Sequence, residues 1–188
     1  MRHLSRFLAV VAVAVLASTP QLAGQKKVAG YSALAVTLGA PPGLSTETVI
    51  MEISRWSTDA ERTDLTTALL EGGPEKLLDV LKKMPSVGFI RTPGTVGYDL
   101  RYAYRTTTGG AEHVMLATDR PIGIWEVGSG SRTLDYPFTV IELRVPRSGE
   151  GEGKVSVATK VVADRGSKTI ALENYSISPV MLRGVKRE

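Results

Sequence analysis

Apolar and polar positions alternate with two different periods along this chain, and the change of period separates a helical segment from a long series of strands. Val49, Met51 and Ile53 alternate with polar residues, which is typical of a strand with one buried face. From Val87 onwards, short β-type segments are separated by Gly, Pro, Asp and Ser. We expect about ten strands, at 28–38, 48–56, 87–91, 98–105, 112–118, 122–127, 138–145, 154–163, 168–175 and 179–185.

Three turn-rich connections predict hairpins, which join antiparallel neighbours. They lie at 107–110, 148–153 and 164–167. The pattern favours a strongly bent antiparallel sheet that closes as a barrel or a sandwich. We expect the last three strands to form a plain meander. The strand at 138–145 should be covered on both faces, because the apolar residues Val140 and Ile141 are adjacent in it.

Residues 58–84 carry a helical period instead, and we expect two helices there. Thr58 and Glu61 have the spacing of a capping box, Gly73 can end the first helix, and Pro74 can begin the second. Two short helices joined by glycine also occur in DNA-reading helix-turn-helix proteins, but basic residues are few here, so packing against the sheet is favoured. The predicted fold class is α+β, mainly β, with a two-helix insertion.

The first 24 residues have the layout of a secretory signal peptide. Two arginines precede an apolar run at 7–17, and small residues follow up to Gly24. The run is shorter than the roughly 20 residues that cross a bilayer. We therefore expect cleavage between Gly24 and Gln25 and release of a single β-rich domain, 25–188, without a stable membrane span. The expected location is the periplasm or the medium.

Composition excludes several kinds of chemistry. The chain has no cysteine, so lipid attachment through a thioether, disulfides and cysteine-based zinc sites are excluded. After cleavage His113 is the one histidine left, so no metal site built on several imidazoles is expected, nor any cofactor. The formal charge of +4 falls to about +2 without the leader, and basic residues are interspersed with acidic ones, so no nucleic-acid partner is expected.

Aromatic and basic residues are mixed in the middle third of the chain. In an alternating strand, the even-numbered residues of 98–104, three of them tyrosines, share one face, and Arg101 lies on the other. These residues could line a concave ligand site together with the later Trp125. The alternative is an ordinary aromatic core layer with an outer salt-bridged face. The candidate ligand-binding residues are Arg91, Tyr98, Arg101, Trp125, Glu126 and Glu142.

Four segments resemble parts of uncharacterised exported bacterial proteins of similar length. They lie at 51–57, 90–102, 117–122 and 135–143. The resemblance implies bacterial export of a β-rich domain behind a signal peptide, and it implies no activity, cofactor or site residue.

Three functions are compatible with these patterns. The first is a non-catalytic domain that binds a small ligand or a partner protein; an apolar interior would favour a hydrophobic ligand, and one lined by Tyr and Arg would favour an anion or a sugar. The second is a hydrolase that uses two strand carboxylates about 5–9 Å apart. Its candidates are Glu52, Glu126, Glu142 and Glu173, for which salt bridges with arginines are the alternative. The third is an accessory component of an envelope complex.

Overall fold

The computed structural model describes residues 26–36, 46–122, 138–157, 159–164, 169–174 and 180–188, and from residue 157 to 174 it describes the backbone alone. Within these ranges the chain forms eleven strands and one helix, α1 (Asp59–Lys83). The strands are β1 (Ala29–Val36), β2 (Thr46–Ile53), β3 (Gly88–Arg91), β4 (Tyr98–Leu100), β5 (Tyr102–Thr108), β6 (Ala111–Ala117), β7 (Thr139–Val145), β8 (Gly151–Val157), β9 (Thr159–Asp164), β10 (Thr169–Asn174) and β11 (Val180–Arg187).

Nine strands form one antiparallel sheet that curls into a nearly closed barrel, in the order β4-β3-β2-β1-β11-β8-β7-β6-β5. β9 and β10 form a separate pair. The three predicted hairpins are confirmed as β5–β6, β7–β8 and β9–β10. The predicted final meander is wrong, because the segment expected as one strand at 154–163 divides between β8 and β9, and β11 pairs with β8 and β1 instead of β10.

The barrel closes through a strand that bends. β4 and β5 are the two ends of the sheet, yet Arg101 alone separates them in the chain. The backbone N–H of Arg101 donates to the carbonyl of Ala117. At the free edge of β5, the N–H of Ser57 donates to the carbonyl of Ala103, and the N–H of Ala103 donates to Ser57 Oγ. These bonds occupy backbone groups that an open sheet edge would leave unpaired.

The bend also reverses the faces of this strand. Leu100 belongs to the inner apolar cluster, whereas Tyr102 and Tyr104 pack on the outside, with ring centroids 6.1 Å apart. The expectation that the even-numbered residues of 98–104 share one face is therefore wrong. Arg101 belongs to neither strand. One such residue between two strands moves every later side chain to the opposite face of the sheet.

The capping box that begins α1 is confirmed. The N–H of Glu61 donates to the Thr58 hydroxyl, and the Glu61 carboxylate accepts from the N–H of Thr58. The expectation of two separate helices is wrong, because 59–83 form one helical element, but this element is kinked at Gly73, with φ of 71°, the residue expected to end the first helix. One glycine absorbs the break, and Pro74 starts the next turn at a position that needs no N–H. Within the described ranges, no helix is long and apolar enough to cross a membrane.

The helix packs on the outer face of β5, β6 and β7. Its residues Leu65, Leu78 and Leu81 form an apolar cluster with Tyr102 and Phe138. Inside the barrel, a second cluster contains side chains from both sheet edges and from the strands between them. The expected coverage of β7 on both faces is confirmed only at its beginning, because Val140 packs against the outer cluster whereas Arg144, further along the same face, is exposed. Large, fully buried residues of the inner cluster are Tyr31, Val49, Met51, Ile53, Ile90, Leu100, Leu116, Ile122, Ile141, Leu143 and Leu182.

Candidate functional site

One end of the barrel, called the mouth below, is formed by the β5–β6 turn, the β7–β8 turn and the end of β11. A groove of about 550 Å³ opens there. This volume is within the roughly 300–1,000 Å³ of small-molecule pockets, which often lie in barrel mouths. The polar side chains that line the groove are Arg105, Thr106, Thr107, Glu112, Arg147 and Arg187.

Strand alternation directs two of these residues towards the barrel axis. Ala103 and Val114 belong to the inner cluster. Arg105 and Glu112 lie two residues away from them on the same strands, in the direction of the mouth, so they have the same orientation beyond the apolar core. Arg105 precedes the β5–β6 turn and Glu112 follows it, and at this turn the two strands extend past the packed interior. The inner face of the sheet therefore changes from apolar to charged at the mouth.

A β-bulge brings the third charged residue to the mouth. The register between β11 and β8 shifts at Gly184, whose φ is 59°. Leu182 and Val185 consequently both lie in the inner cluster although they are three residues apart. Arg187 follows Val185 by two residues and shares its orientation.

Glu112 is the centre of the polar contacts in the mouth. The hydroxyl of Tyr31 donates to Glu112 Oε2 at 3.0 Å, and Arg105 Nη1 donates to Oε1 at 3.4 Å. Arg187 Nη1 lies 4.0 Å from Oε2. Burial, followed by the charge and the hydrogen bond of Glu112, raises the pKa of Tyr31, so this phenol stays a neutral donor.

Arg147 adds a third positive charge to the groove. Its guanidinium lies above the β5–β6 turn, where a Cβ on Gly110 would be 3.6 Å from Arg147 Nε. Among the residues that the structure describes, no carboxylate lies within ion-pair distance of Arg147. The groove thus holds three guanidiniums and one carboxylate.

Arg105 connects the groove with an aromatic ring. Its guanidinium carbon lies 4.8 Å from the centroid of Trp56, a cation–π contact. Trp56 is partly buried against the inner cluster. A ligand that moves or neutralises Arg105 should therefore change the emission of Trp56.

The mouth is equipped to bind an anion. Guanidinium groups form charge-assisted hydrogen bonds with carboxylates and phosphates, and the threonine hydroxyls can donate or accept. Among the described residues, no group of three or more His, Asp or Glu side chains is arranged to hold a metal ion.

Three of the sequence-predicted site residues lie on the β3–β4 side of the barrel. Arg101 Nε donates to Asp119 at 3.0 Å, and its Nη2 lies 3.4 Å from Asp99. Arg91 Nη2 lies 3.8 Å from a carboxylate of β2, and Tyr98 packs against the inner cluster. Arg101 is therefore engaged in holding the bend between β4 and β5.

The structure separates Glu142 from those three. Glu142 lies on the outer face of β7, where Lys154 Nζ is 3.0 Å from its Oε2. β7 and β3 are not neighbours in either direction around the barrel. The remaining predicted residues, Trp125, Glu126, Gly24 and Gln25, lie outside the described residues.

Sequence reasoning missed the four charged residues of the mouth. Two signals could have found them: Arg105 and Glu112 flank a predicted hairpin turn in phase with apolar residues, and Arg147 lies directly before another turn. Nothing in the sequence marks Arg187, because the bulge at Gly184 that orients it leaves no clear pattern there.

Comparisons with known proteins give no identity. No protein-family model matches the chain, and no curated protein and no solved structure matches it.

Proposed function

We propose that this chain is an exported, non-catalytic binding protein whose ligand is a small anion held in the mouth of the barrel. The observation that carries the proposal is the excess of positive charge in the groove, where three arginines face one carboxylate. Export rests on the layout of the leader, with basic residues before an apolar run.

The arginines remain accessible to a ligand although two of them contact Glu112. The side chains of Arg105 and Arg187 are 45% and 53% exposed, and Arg147 is exposed as well. Each guanidinium carries five N–H donors, so one weak contact with Glu112 leaves most of them free. A bound anion would therefore gain charge-assisted hydrogen bonds without breaking those already present.

The filled interior supports the mouth as the ligand site. The inner cluster contains residues such as Met51, Leu116 and Leu182, none of which is exposed. A hydrophobic ligand inside the barrel would have to displace well-packed side chains, which is costly.

The positions of two strand carboxylates favour binding over hydrolysis by that pair. Glu52 on β2 and Glu142 on β7 have three strands between them. Four inter-strand spacings of about 4.8 Å are roughly 19 Å along the curved sheet, and both side chains are on its outer face, so the two carboxylates lie on different sides of the barrel and do not form the close pair that glycoside hydrolysis uses. Each also lies against a basic side chain, Arg91 or Lys154.

An accessory role in an envelope complex would need a continuous exposed apolar patch. In the described part of the chain, the exposed large apolar residues are Val28, Leu34 and Val96. Val96 lies in the β3–β4 connection and the other two on or next to β1, so they support no such patch.

Calorimetric titration with glucuronate, gluconate, acetate and inorganic phosphate tests the proposal. We expect at least one of these anions to bind, and Arg147→Gln to weaken that binding about tenfold, since a hydrogen bond to a charged group contributes roughly 1.5–3 kcal/mol. Arg144→Gln is the matched control, because Arg144 is exposed on β7 and does not line the groove.

Fluorescence gives a second measurement. In a Trp125→Phe background the remaining tryptophan, Trp56, contacts Arg105, so the same anions should change its emission. Equal affinities of Arg147→Gln and Arg144→Gln for every anion, with no response of Trp56, would refute the proposal.

A further inference from the structure

Resting on the proposed function, we propose further that Glu112 selects the class of anion, and that the ligand is a hydroxylated carboxylate of the sugar-acid type rather than a phosphate or sulfate. The juxtaposition of one carboxylate with three arginines in the same groove carries this inference. A site for highly charged anions would gain nothing from Glu112, whereas a site for a monoanion with hydroxyl groups would use it.

Glu112 has free capacity to accept hydrogen bonds from a ligand. Its two oxygens can accept about four, and within the described residues they accept one from Tyr31 and one from Arg105. The side chain is 16% exposed, and it lines the groove. Its remaining lone pairs can therefore accept from a ligand hydroxyl.

The charge of Glu112 opposes a second concentrated negative charge nearby. Like charges brought together at a binding site cost several kcal/mol, and a phosphate carries up to two charges on one centre. A carboxylate carries a single charge, which can lie at Arg147, a residue with no carboxylate partner in the described ranges, while the rest of the molecule faces Glu112. In the proposed arrangement the ligand carboxylate contacts Arg147 and the ligand hydroxyls contact Glu112.

The other lining residues agree with a polyhydroxylated ligand. Thr106 and Thr107 add two hydroxyls, and Val145 and Pro146 give the groove an apolar wall for the C–H groups of a carbon skeleton. A groove of about 550 Å³ is large enough for a sugar acid.

The experiment compares the same anions on the wild-type chain and on Glu112→Gln. We expect wild type to bind glucuronate at least about tenfold more tightly than inorganic phosphate, and Glu112→Gln to bind phosphate about tenfold more tightly than wild type does. Gluconate carries the same groups on an open chain and distinguishes a sugar ring from an acyclic hydroxy acid. Glu152→Gln is the matched control, since Glu152 is exposed on β8 and does not line the groove.

Two outcomes overturn this inference while the proposed function stands: phosphate binds wild type as well as glucuronate does, or Glu112→Gln leaves the affinity for phosphate unchanged, with Arg147→Gln still weakening the binding. If Arg147→Gln has no effect on any anion, both fail. Should Glu112→Gln not fold, the wild-type preference and the Glu112→Asp variant decide. The Glu112→Asp variant keeps the negative charge, so its affinity for inorganic phosphate should stay as low as that of wild type.

Discussion

The bend between β4 and β5 and the mouth of the barrel both combine arginine with carboxylates, but carboxylates outnumber arginine at the bend and arginines outnumber the carboxylate in the mouth. At the bend, Arg101 is shared by Asp99 and Asp119 and also donates to the carbonyl of Met84. In the mouth, three arginines share Glu112. Because Arg101 contacts two carboxylates and a carbonyl, it holds the chain in place at the bend. The mouth has more arginines than carboxylates, so N–H donors remain there for a ligand.

The largest effect is expected from removing the arginine at the bend. Arg101→Ala should lower the free energy of unfolding by about 2 kcal/mol, because the partly buried Asp119 loses its charged partner. Arg187→Ala, whose nearest carboxylate oxygen is 4.0 Å away, should cost less than about 0.5 kcal/mol. Urea unfolding of both variants measures the difference, and equal losses would contradict a structural role confined to the bend.

A smaller effect would show what holds Glu112 in the mouth. Tyr31→Phe should lower the free energy of unfolding by about 1 kcal/mol, because Glu112 loses a neutral donor. The double variant with Glu112→Gln should show a coupling of about 0.5 kcal/mol or more in urea unfolding. Strict additivity would mean that the arginines alone position this carboxylate.

The smallest expected effect on stability concerns the ion pair of Arg55 and Glu61 at the start of α1. Hydrogen bonds from Arg55 lower the pKa of Glu61 to about 2, against the added cost of burial. A lowered folded-state pKa means that the stabilisation is complete above the unfolded pKa of about 4.5 and is lost as the pH falls towards 2. Because Arg55 is 37% exposed, we expect about 1 kcal/mol at most.

Urea unfolding of wild type and Glu61→Gln between pH 7 and pH 2 checks this expectation. The difference between the two should be constant at neutral pH, shrink below about pH 4.5 and vanish near pH 2. A difference that does not depend on pH would assign the effect to the cap of the helix instead of the ion pair.

Local patterns predicted the elements well where neighbours in sequence decide the structure. The capping box of Thr58 and Glu61 and the three hairpins all follow from spacing within a few residues. The bend at Arg101 did not follow, because one residue out of pattern is invisible to a periodicity averaged over a segment.

The amino-acid pattern is enough to establish a mainly antiparallel β domain with a helical insertion, since alternation, caps and turns act over short distances. Only the tertiary structure decided that Arg105, Glu112, Arg147 and Arg187 meet at one end of the barrel. Their meeting depends on which strands pair and in which register, and β11 pairs with β1 across nearly the whole length of the chain. Composition and spacing do not predict such a pairing of distant strands, because it is set by the packing of the complete sheet.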